Sequence, residues 1–221
     1  MRVLVVAAHM DDEVLGVGGT MAKHARQGDE VHVAIACHRV YDHRFDAETN
    51  AQERAATLAA VTVLGCKDVH FLGLRDELLD ERLQDVIVPL EALLSRLEPE
   101  VAYVTHRGDV NQDHRAVFQA TLVACRSFAR PKVRRLLAYE TLSSTEQAPP
   151  FPEYAFQPNV FVNIADSLAT KLEAMRQYQR ELREFPHPRS LRGIDIQARM
   201  RGMQAGYDAA EAFALVRDHW D

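Results

Sequence analysis

Short apolar runs alternate along this chain with longer stretches that have the spacing of amphipathic helices. This alternation is typical of a parallel β-sheet whose strands are joined by crossover helices. We predict strands at 2–8, 30–37, 68–72, 100–105, 134–140 and 159–164, and helices at 18–28, 47–65, 82–98, 113–128, 166–184 and 195–213. No repeat or linker divides the chain, so residues 1–221 are predicted to form one α/β domain with a Rossmann-like, three-layer fold and a mostly parallel sheet.

Turn and cap residues refine this outline. Gly65 is expected to end the second helix, and Asp80 is expected to cap the third. Two proline-containing stretches without a clear period, 143–158 and 185–193, are predicted loops. Long loops in compact domains often carry function.

Composition excludes several classes of protein. The formal net charge of −6 disfavours a nucleic-acid binder, which needs a basic face. The three cysteines are widely spaced and form no CxxC pair, which favours a reducing, cytoplasmic location. The N-terminal apolar run reads as a strand and not as a signal peptide, and no stretch approaches the roughly 20 apolar residues of a membrane span.

A cluster of one histidine and three acids directly follows the first predicted strand. His9, Asp11, Asp12 and Glu13 come after the run Val3–Val6. Carboxylates gathered at one strand end repel each other unless a positive charge compensates them, and a divalent metal is the simplest such charge. The alternative is that the two aspartates cap the next helix and the histidine packs in the core. The glycines of VLGVGGT have the wrong spacing for a nucleotide loop and are expected to allow a tight turn with close backbone approach.

A second polar cluster, residues 106–114, follows the predicted strand at 100–105. In a parallel sheet this cluster lies at the same edge as His9. A catalytic Zn²⁺ takes three protein ligands and keeps one position open, and the two clusters together can supply them. The alternative is that Asp113 caps a helix and His114 is exposed.

The two clusters resemble the motifs of the PIG-L (LmbE-like) family of metal-dependent N-deacetylases. That family has A-H-P-D-D-E after its first strand and a later H-x-x-D-x-H-x-D-H. Here the first motif reads AHMDDE at 8–13, and the second reads HRGDVNQDH at 106–114. The likeness extends to Leu64-Gly65, Tyr139-Glu140, 158–162 and 210–213.

The resemblance implies that His9, Asp12 and His114 bind Zn²⁺, one ion per chain, with Fe²⁺ as an alternative metal. It also implies that Asp11 is the general base and that Glu13 and Asp113 orient ligands.

The second motif departs from the family at Asn111, where many members carry a histidine. An asparagine can donate a hydrogen bond to an oxyanion but cannot carry a proton. Either Asp11 also protonates the leaving amine, or His106 or His187 contributes. Met10, in place of the usual proline, removes no ligand.

The resemblance further implies a small N-acetylated amino sugar or glycoconjugate as substrate, and a homo-oligomer. Arg44 and Asp109 are the predicted substrate contacts, with Arg75 a further candidate, and the loops at 143–158 and 185–193 are expected to set specificity. Three other hypotheses stay open: an amidase acting on a non-sugar N-acyl substrate, a non-catalytic metal or sugar-binding protein, and a two-metal phosphoesterase.

Overall fold

The computed structural model describes residues 1–41, 43–129 and 132–220. The strands are β1 (Arg2–Ala7), β2 (Glu30–His38), β3 (Val40–Tyr41), β4 (Arg44–Phe45), β5 (Asp68–Arg75), β6 (Val101–Thr105), β7 (Arg135–Tyr139), β8 (Val160–Asn163) and β9 (Ala210–Asp218). The α-helices are α1 (Asp12–Arg26), α2 (Ala47–Leu64), α3 (Leu83–Leu97), α4 (Gln112–Ala124), α5 (Leu168–Met175) and α6 (Leu191–Ala205). None of the helices in these three ranges is long and apolar enough to cross a membrane.

Seven strands form the central sheet in the order β5-β2-β1-β6-β7-β9-β8. The first five run parallel, and β9 is antiparallel to both β7 and β8. The predicted α/β fold with a mostly parallel sheet is therefore confirmed. The strands β3 and β4 form a separate antiparallel hairpin that the sequence analysis did not predict.

The central strand β1 is covered on both faces, which explains its unbroken apolar sequence. Val3 and Val5 point into one core together with residues of α1 and α2, and Leu4 and Val6 point into a second core with residues of α3 and α4. The helices thus form layers on both sides of the sheet.

The strand order reverses at β1. The chain runs from β1 outward to β2 and β5 and then returns to place β6 on the other side of β1. Such a reversal leaves a crevice beyond the carboxyl ends of the two central strands, and open α/β sheets bind their ligands there. Both polar clusters of the sequence follow these two strands, so the topology brings them together.

The largest error of the sequence analysis concerns the last helix. We predicted helix over 195–213, but α6 ends at Ala205, and residues 210–218 form strand β9 in the sheet. Gly206 adopts a left-handed conformation with φ 75°, the usual conformation of a glycine that ends a helix. Pairing with β7 and β8 overrides the helix propensity of the alanines that follow.

The first helix also differs from the prediction, since α1 begins at Asp12 and not at residue 18. The glycines predicted to allow a turn lie inside this helix. The expected close approach is real, because a Cβ on Gly16 would lie 2.1 Å from the Tyr139 ring and one on Gly19 would lie 2.8 Å from Ile164.

Three further predictions concern helix ends. Gly65 ends α2 with φ 76°, as predicted. The prediction for Asp80 was wrong, because α3 begins at Leu83 and its N-cap residue is Arg82. Helix α5 ends at Met175 and not at residue 184, so the chain from 176 to 190 turns back toward the crevice.

Candidate metal centre

His9, Asp12 and His114, the three predicted metal ligands, meet in the crevice. Nδ1 of His9 lies 3.2 Å from Nε2 of His114. Oδ2 of Asp12 lies 3.4 Å from His9 Nδ1 and 3.2 Å from His114 Nε2. All three side chains are buried.

This triangle has the size that a single ion requires. Ligand atoms placed about 2.0–2.1 Å from a tetrahedral Zn²⁺ lie about 3.3–3.4 Å from each other. The chemistry also fits, because imidazole nitrogen and carboxylate oxygen are both zinc ligands. Burial opposes protonation of His114, but Asp12 and Asp109 outweigh it and raise the pKa of His114 to about 9. The cluster therefore attracts a positive charge to the point where the three atoms converge.

Two carboxylates fix the orientation of His9. Nε2 of His9 lies 2.8 Å from Oδ1 of Asp76 and 3.4 Å from Oδ2 of Asp113. A proton on Nε2 that is donated to Asp76 leaves the Nδ1 lone pair free for an ion. Metal-binding histidines commonly have such a partner. The predicted orienting role of Asp113 agrees with this geometry, whereas Asp76 was not predicted to act on His9.

Asp109 lies beneath His114. Its Oδ2 is 3.2 Å from His114 Nδ1, although the alignment is outside good hydrogen-bond geometry, and its carboxylate also accepts bonds from the hydroxyls of Ser144 and Thr145. Asp109 is fully buried, and it is not among the described residues that line the cavity above the triangle. This placement favours orientation of His114 over the predicted contact with substrate.

Asp11 stands beside the triangle on a strained backbone. Its φ of 127° is rare for any residue other than glycine, and such conformations cost about 1–3 kcal/mol and concentrate at functional sites. Burial, followed by the charges of Asp12 and Glu181, raises the pKa of Asp11 to about 8, while two arginines oppose the rise.

Glu13 holds this strained turn in place. Its Oε2 accepts the backbone N–H of Asp11 at 3.1 Å, and its Oε1 accepts the hydroxyl of Tyr178. Burial raises the pKa of Glu13 to about 7. Glu13 therefore supports the backbone of Asp11, the proposed base, and its predicted role in orienting a metal ligand stays a prediction.

A group of charged residues that the sequence analysis missed lies on the other side of Asp11. Nη1 of Arg189 is 3.3 Å from Asp11 Oδ2 and also donates to the buried carboxylate of Glu181. Glu181 accepts further bonds from Tyr41 and Arg39. Burial opposes ionisation of Glu181, but the two arginines outweigh it and lower its pKa.

Asn111 is the N-cap residue of α4. Its Oδ1 accepts the backbone N–H of Asp113 at 2.8 Å, and its own backbone N–H donates to Asp109 at 2.9 Å. Since the amide oxygen is engaged in the cap, Nδ2 is the group that the side chain can present to the cavity it lines.

A cavity of about 160 Å³ opens above the triangle. Among the described residues, the cavity is lined by the ligand triangle, Asp11, Asn111, Arg39 and Arg189. It is also lined by residues 141–144, where the predicted loop 143–158 begins. Arg44 is not among these residues; it lies exposed on β4. Nε2 of His106 hydrogen-bonds to the carbonyl of Tyr154, and Nδ1 of His187 accepts the backbone N–H of Arg189. Both histidines therefore hold loop backbone in place, and neither is among the described residues that line the cavity.

A second group of potential ligands adjoins His9 and consists of Cys37, Asp76 and Asp113. Its carboxylates are already satisfied, since Asp113 accepts the backbone N–H groups of Glu77 and Leu79, and Asp76 accepts that of Val40. This arrangement suits a hydrogen-bonded shell around His9 better than a second ion.

Comparison with known proteins agrees with the site. The model of the PIG-L family, described as GlcNAc-PI de-N-acetylase, matches residues 4–125, which contain both motifs. The chain belongs to this family. It is 30% identical over 183 residues to the uncharacterized deacetylase YaiS of Escherichia coli strain K12, an alignment that spans 80% of this chain and 90% of the relative.

Solved structures share the fold of this PIG-L family member. The N,N'-diacetylchitobiose deacetylase of Pyrococcus horikoshii superposes with a TM-score of 0.78 at 20% identity, covering 97% of this chain and 83% of that one. GalB, the 4-carboxy-2-hydroxymuconate hydratase of Pseudomonas putida KT2440, superposes with a TM-score of 0.76 at 23% identity, covering 100% and 98%. Because this architecture is found in both a deacetylase and a hydratase, likeness of fold alone does not fix the reaction.

Proposed function

We propose that this protein is a metal-dependent N-deacetylase that hydrolyses the acetamide of a small N-acetylated amino sugar or glycoconjugate. The observation that carries the proposal is the juxtaposition of a three-atom ligand triangle with an additional carboxylate, Asp11, on the wall of the same cavity. A protein that only binds a metal or a sugar has no need for this extra buried carboxylate. Membership of a family described by de-N-acetylation of GlcNAc-PI supports the choice of substrate.

His9, Asp12 and His114 would hold the ion, which we propose is Zn²⁺, with Fe²⁺ as the alternative. A bound divalent ion of this kind supplies Lewis acidity, which lowers the pKa of a water from about 15.7 to about 7 and polarises a carbonyl. The residues around the triangle then supply the proton transfers and hydrogen bonds.

Asp11 is the proposed general base. In its ionised form, which the positive charge of a bound ion would favour, its carboxylate takes a proton from the attacking water and returns it to the departing nitrogen. Glu13 fixes the backbone of Asp11 and Arg189 contacts its carboxylate, so the group is held in one orientation. His106 and His187, the other proton donors considered, are engaged with loop backbone, which favours the double role of Asp11.

Asn111 is the proposed donor to the oxyanion. Its Nδ2 can donate one hydrogen bond to the oxygen on which negative charge develops. The substrate's remaining polar groups face two arginines. Arg39 and Arg189 both line the cavity, and their guanidinium groups donate hydrogen bonds that sugar oxygens can accept. We therefore propose Arg39 and Arg189 as substrate contacts, where sequence analysis had proposed Arg44 and Asp109.

The proposal is tested by two adjacent substitutions that separate metal binding from proton transfer. Asp11→Asn is expected to keep the metal and to lower the rate of amine release by about 10²-fold or more, since a positioned acid–base group contributes that much. Asp12→Ala is expected to lose the metal. Asp85→Asn, on the exposed start of α3, serves as the control.

The substrate panel separates the rival hypotheses. It contains N-acetylglucosamine, its glycosides and N-acetyl amino acids. Amine release from the amino acids alone would favour an amidase of another class, and metal with sugar binding but no release would favour a binding protein. Equal loss of metal in Asp11→Asn and Asp12→Ala, with equal loss of activity, would contradict the assigned roles.

A further inference from the structure

Another cluster of histidine and aspartate side chains, distinct from those around His9, lies at the opposite end of the sheet from the crevice. His32 is near the start of β2, and Asp68 and His70 are at the start of β5. The register pairs His32 with Asp68 and Ala34 with His70. Because side chains alternate along a strand, these three polar residues share one face of the sheet.

The two imidazoles face each other at a ligand-to-ligand distance. Nδ1 of His32 lies 3.2 Å from Nε2 of His70, the same separation as between His9 Nδ1 and His114 Nε2 in the crevice. With Asp68, each residue offers one ligand atom within 4.8 Å of the other two. Imidazole and carboxylate together select borderline transition ions such as Zn²⁺, Ni²⁺ or Cu²⁺ over Mg²⁺ and Ca²⁺.

We propose that His32, His70 and Asp68 form a second transition-metal site, separate from the centre in the crevice. The site is reachable from solvent, because the Asp68 side chain is 59% exposed while the His70 side chain is largely covered. β5 is the edge strand of the sheet, so an ion held here ties that edge to β2. The proposal does not rest on deacetylase activity.

Arg96 controls access to this site. Its Nη2 lies 3.2 Å from Nδ1 of His70. A guanidinium can only donate, so Nδ1 of His70 accepts the bond and the ring proton is on Nε2, directed at His32. Metal binding at Nε2 requires that proton to leave and the ring to take its proton on Nδ1 instead, which displaces Arg96. Arg96 therefore competes with the ion, both through the tautomer that it stabilises and through its charge.

This competition predicts effects of opposite sign from neighbouring substitutions. His70→Asn and His32→Asn are expected to remove the second site. Arg96→Gln is expected to tighten it about 3- to 10-fold, as estimated from the loss of one positive charge several ångströms from a divalent ion in a mostly aqueous environment. An adventitious surface histidine would not respond to Arg96 in this way.

The experiment is a Zn²⁺ titration of the full, untagged chain after chelator treatment, with the number of bound ions and their affinity measured by calorimetry. The wild type is expected to bind two ions, His114→Ala one, His70→Asn one and the double variant none. In the His114→Ala background, added Zn²⁺ is expected to raise the melting temperature, and His70→Asn is expected to abolish that rise.

Residual binding in His114→Ala that survives His70→Asn, or that does not tighten with Arg96→Gln, would overturn the second site. Loss of all binding in His114→Ala would also overturn it while leaving the crevice site intact. If His114→Ala bound two Zn²⁺ ions, as the wild type is expected to do, the result would count against the crevice site and not against the second site. The two proposals can therefore fail separately.

Discussion

Replacing Asp76 by asparagine tests whether the shell around His9 matters as the structure indicates. The carboxylate of Asp76 accepts at both oxygens: Oδ1 lies 2.8 Å from His9 Nε2, and Oδ2 accepts the backbone N–H of Val40 at 2.9 Å. An amide accepts at one end only. If its oxygen faces His9, its NH₂ opposes the N–H of Val40. If its NH₂ faces His9, it favours the proton on Nδ1, where the ion should bind.

When His9 carries its proton on Nε2, as metal binding at Nδ1 requires, either orientation leaves one donor without an acceptor, the N–H of Val40 or that of His9, which costs about 1–3 kcal/mol. If that cost falls on the metal-competent state, Zn²⁺ affinity drops by roughly 5- to 150-fold. This agrees with the roughly 10–100-fold effect typical of groups that orient metal ligands.

The assay is competition for Zn²⁺ between the protein and a chromophoric chelator, with Asp85→Asn as a matched control on exposed α3. The melting temperature of each variant without metal shows whether the fold is kept. Zinc affinity of Asp76→Asn within twofold of the wild type, in a folded protein, would refute the proposed role of Asp76.

Three further predictions concern stability and the oxyanion. Glu181→Gln should destabilise the protein by about 2 kcal/mol at pH 7, which is less than the loss of a fully buried pair because the arginine partners of Glu181 are partly exposed. The folded state lowers the pKa of Glu181, so the difference in melting temperature between the variant and the wild type should shrink as the pH falls below the ordinary pKa of 4.5. Gly16→Ala should lower the melting temperature by several degrees, since its Cβ would lie 2.1 Å from the buried Tyr139 ring. Gly18→Ala is the control, because the nearest atom to its Cβ is a flexible side-chain carbon at 3.1 Å. Equal melting temperatures for the two variants would contradict the packing argument. Asn111→Ala should reduce kcat by roughly 10²-fold with unchanged metal content, at a cap cost of about 1 kcal/mol in thermal stability, and an unchanged kcat would remove this residue from the mechanism.

The meeting of His9, Asp12 and His114 was predictable because the polar segments that carry them follow strand ends, and the family resemblance singled out these three residues as the proposed metal ligands. His9 follows β1 and His114 follows β6, and the rule for parallel sheets brings these ends together without knowledge of the loops. Asp76 was not predicted as a partner of His9, because no local pattern in the sequence pairs the two residues, and β5 was predicted to end at residue 72. In the structure it continues to Arg75, which places Asp76 at the crevice.

Arg189 and Glu181 were missed for a different reason. They come from the stretch after α5, and their approach to Asp11 depends on α5 ending at Met175 and on the chain turning back. No local pattern in the sequence predicts that return. The strand β9 was missed because its alanines favour a helix and only tertiary pairing with β7 makes them a strand. Gly206 was the one local signal that the helix ends earlier.

The central claim is that one metal ion in the crevice serves the hydrolysis of an N-acetyl group. Its most direct test measures metal content together with amine release from N-acetylglucosamine and its glycosides, before chelation, after chelation and after zinc is restored. To isolate the crevice ion, the measurement is made on the His70→Asn variant beside the wild type. The account predicts one ion per chain in His70→Asn, with amine release that chelation abolishes and zinc restores. Amine release that continues at the same rate after the crevice ion has been removed would contradict it.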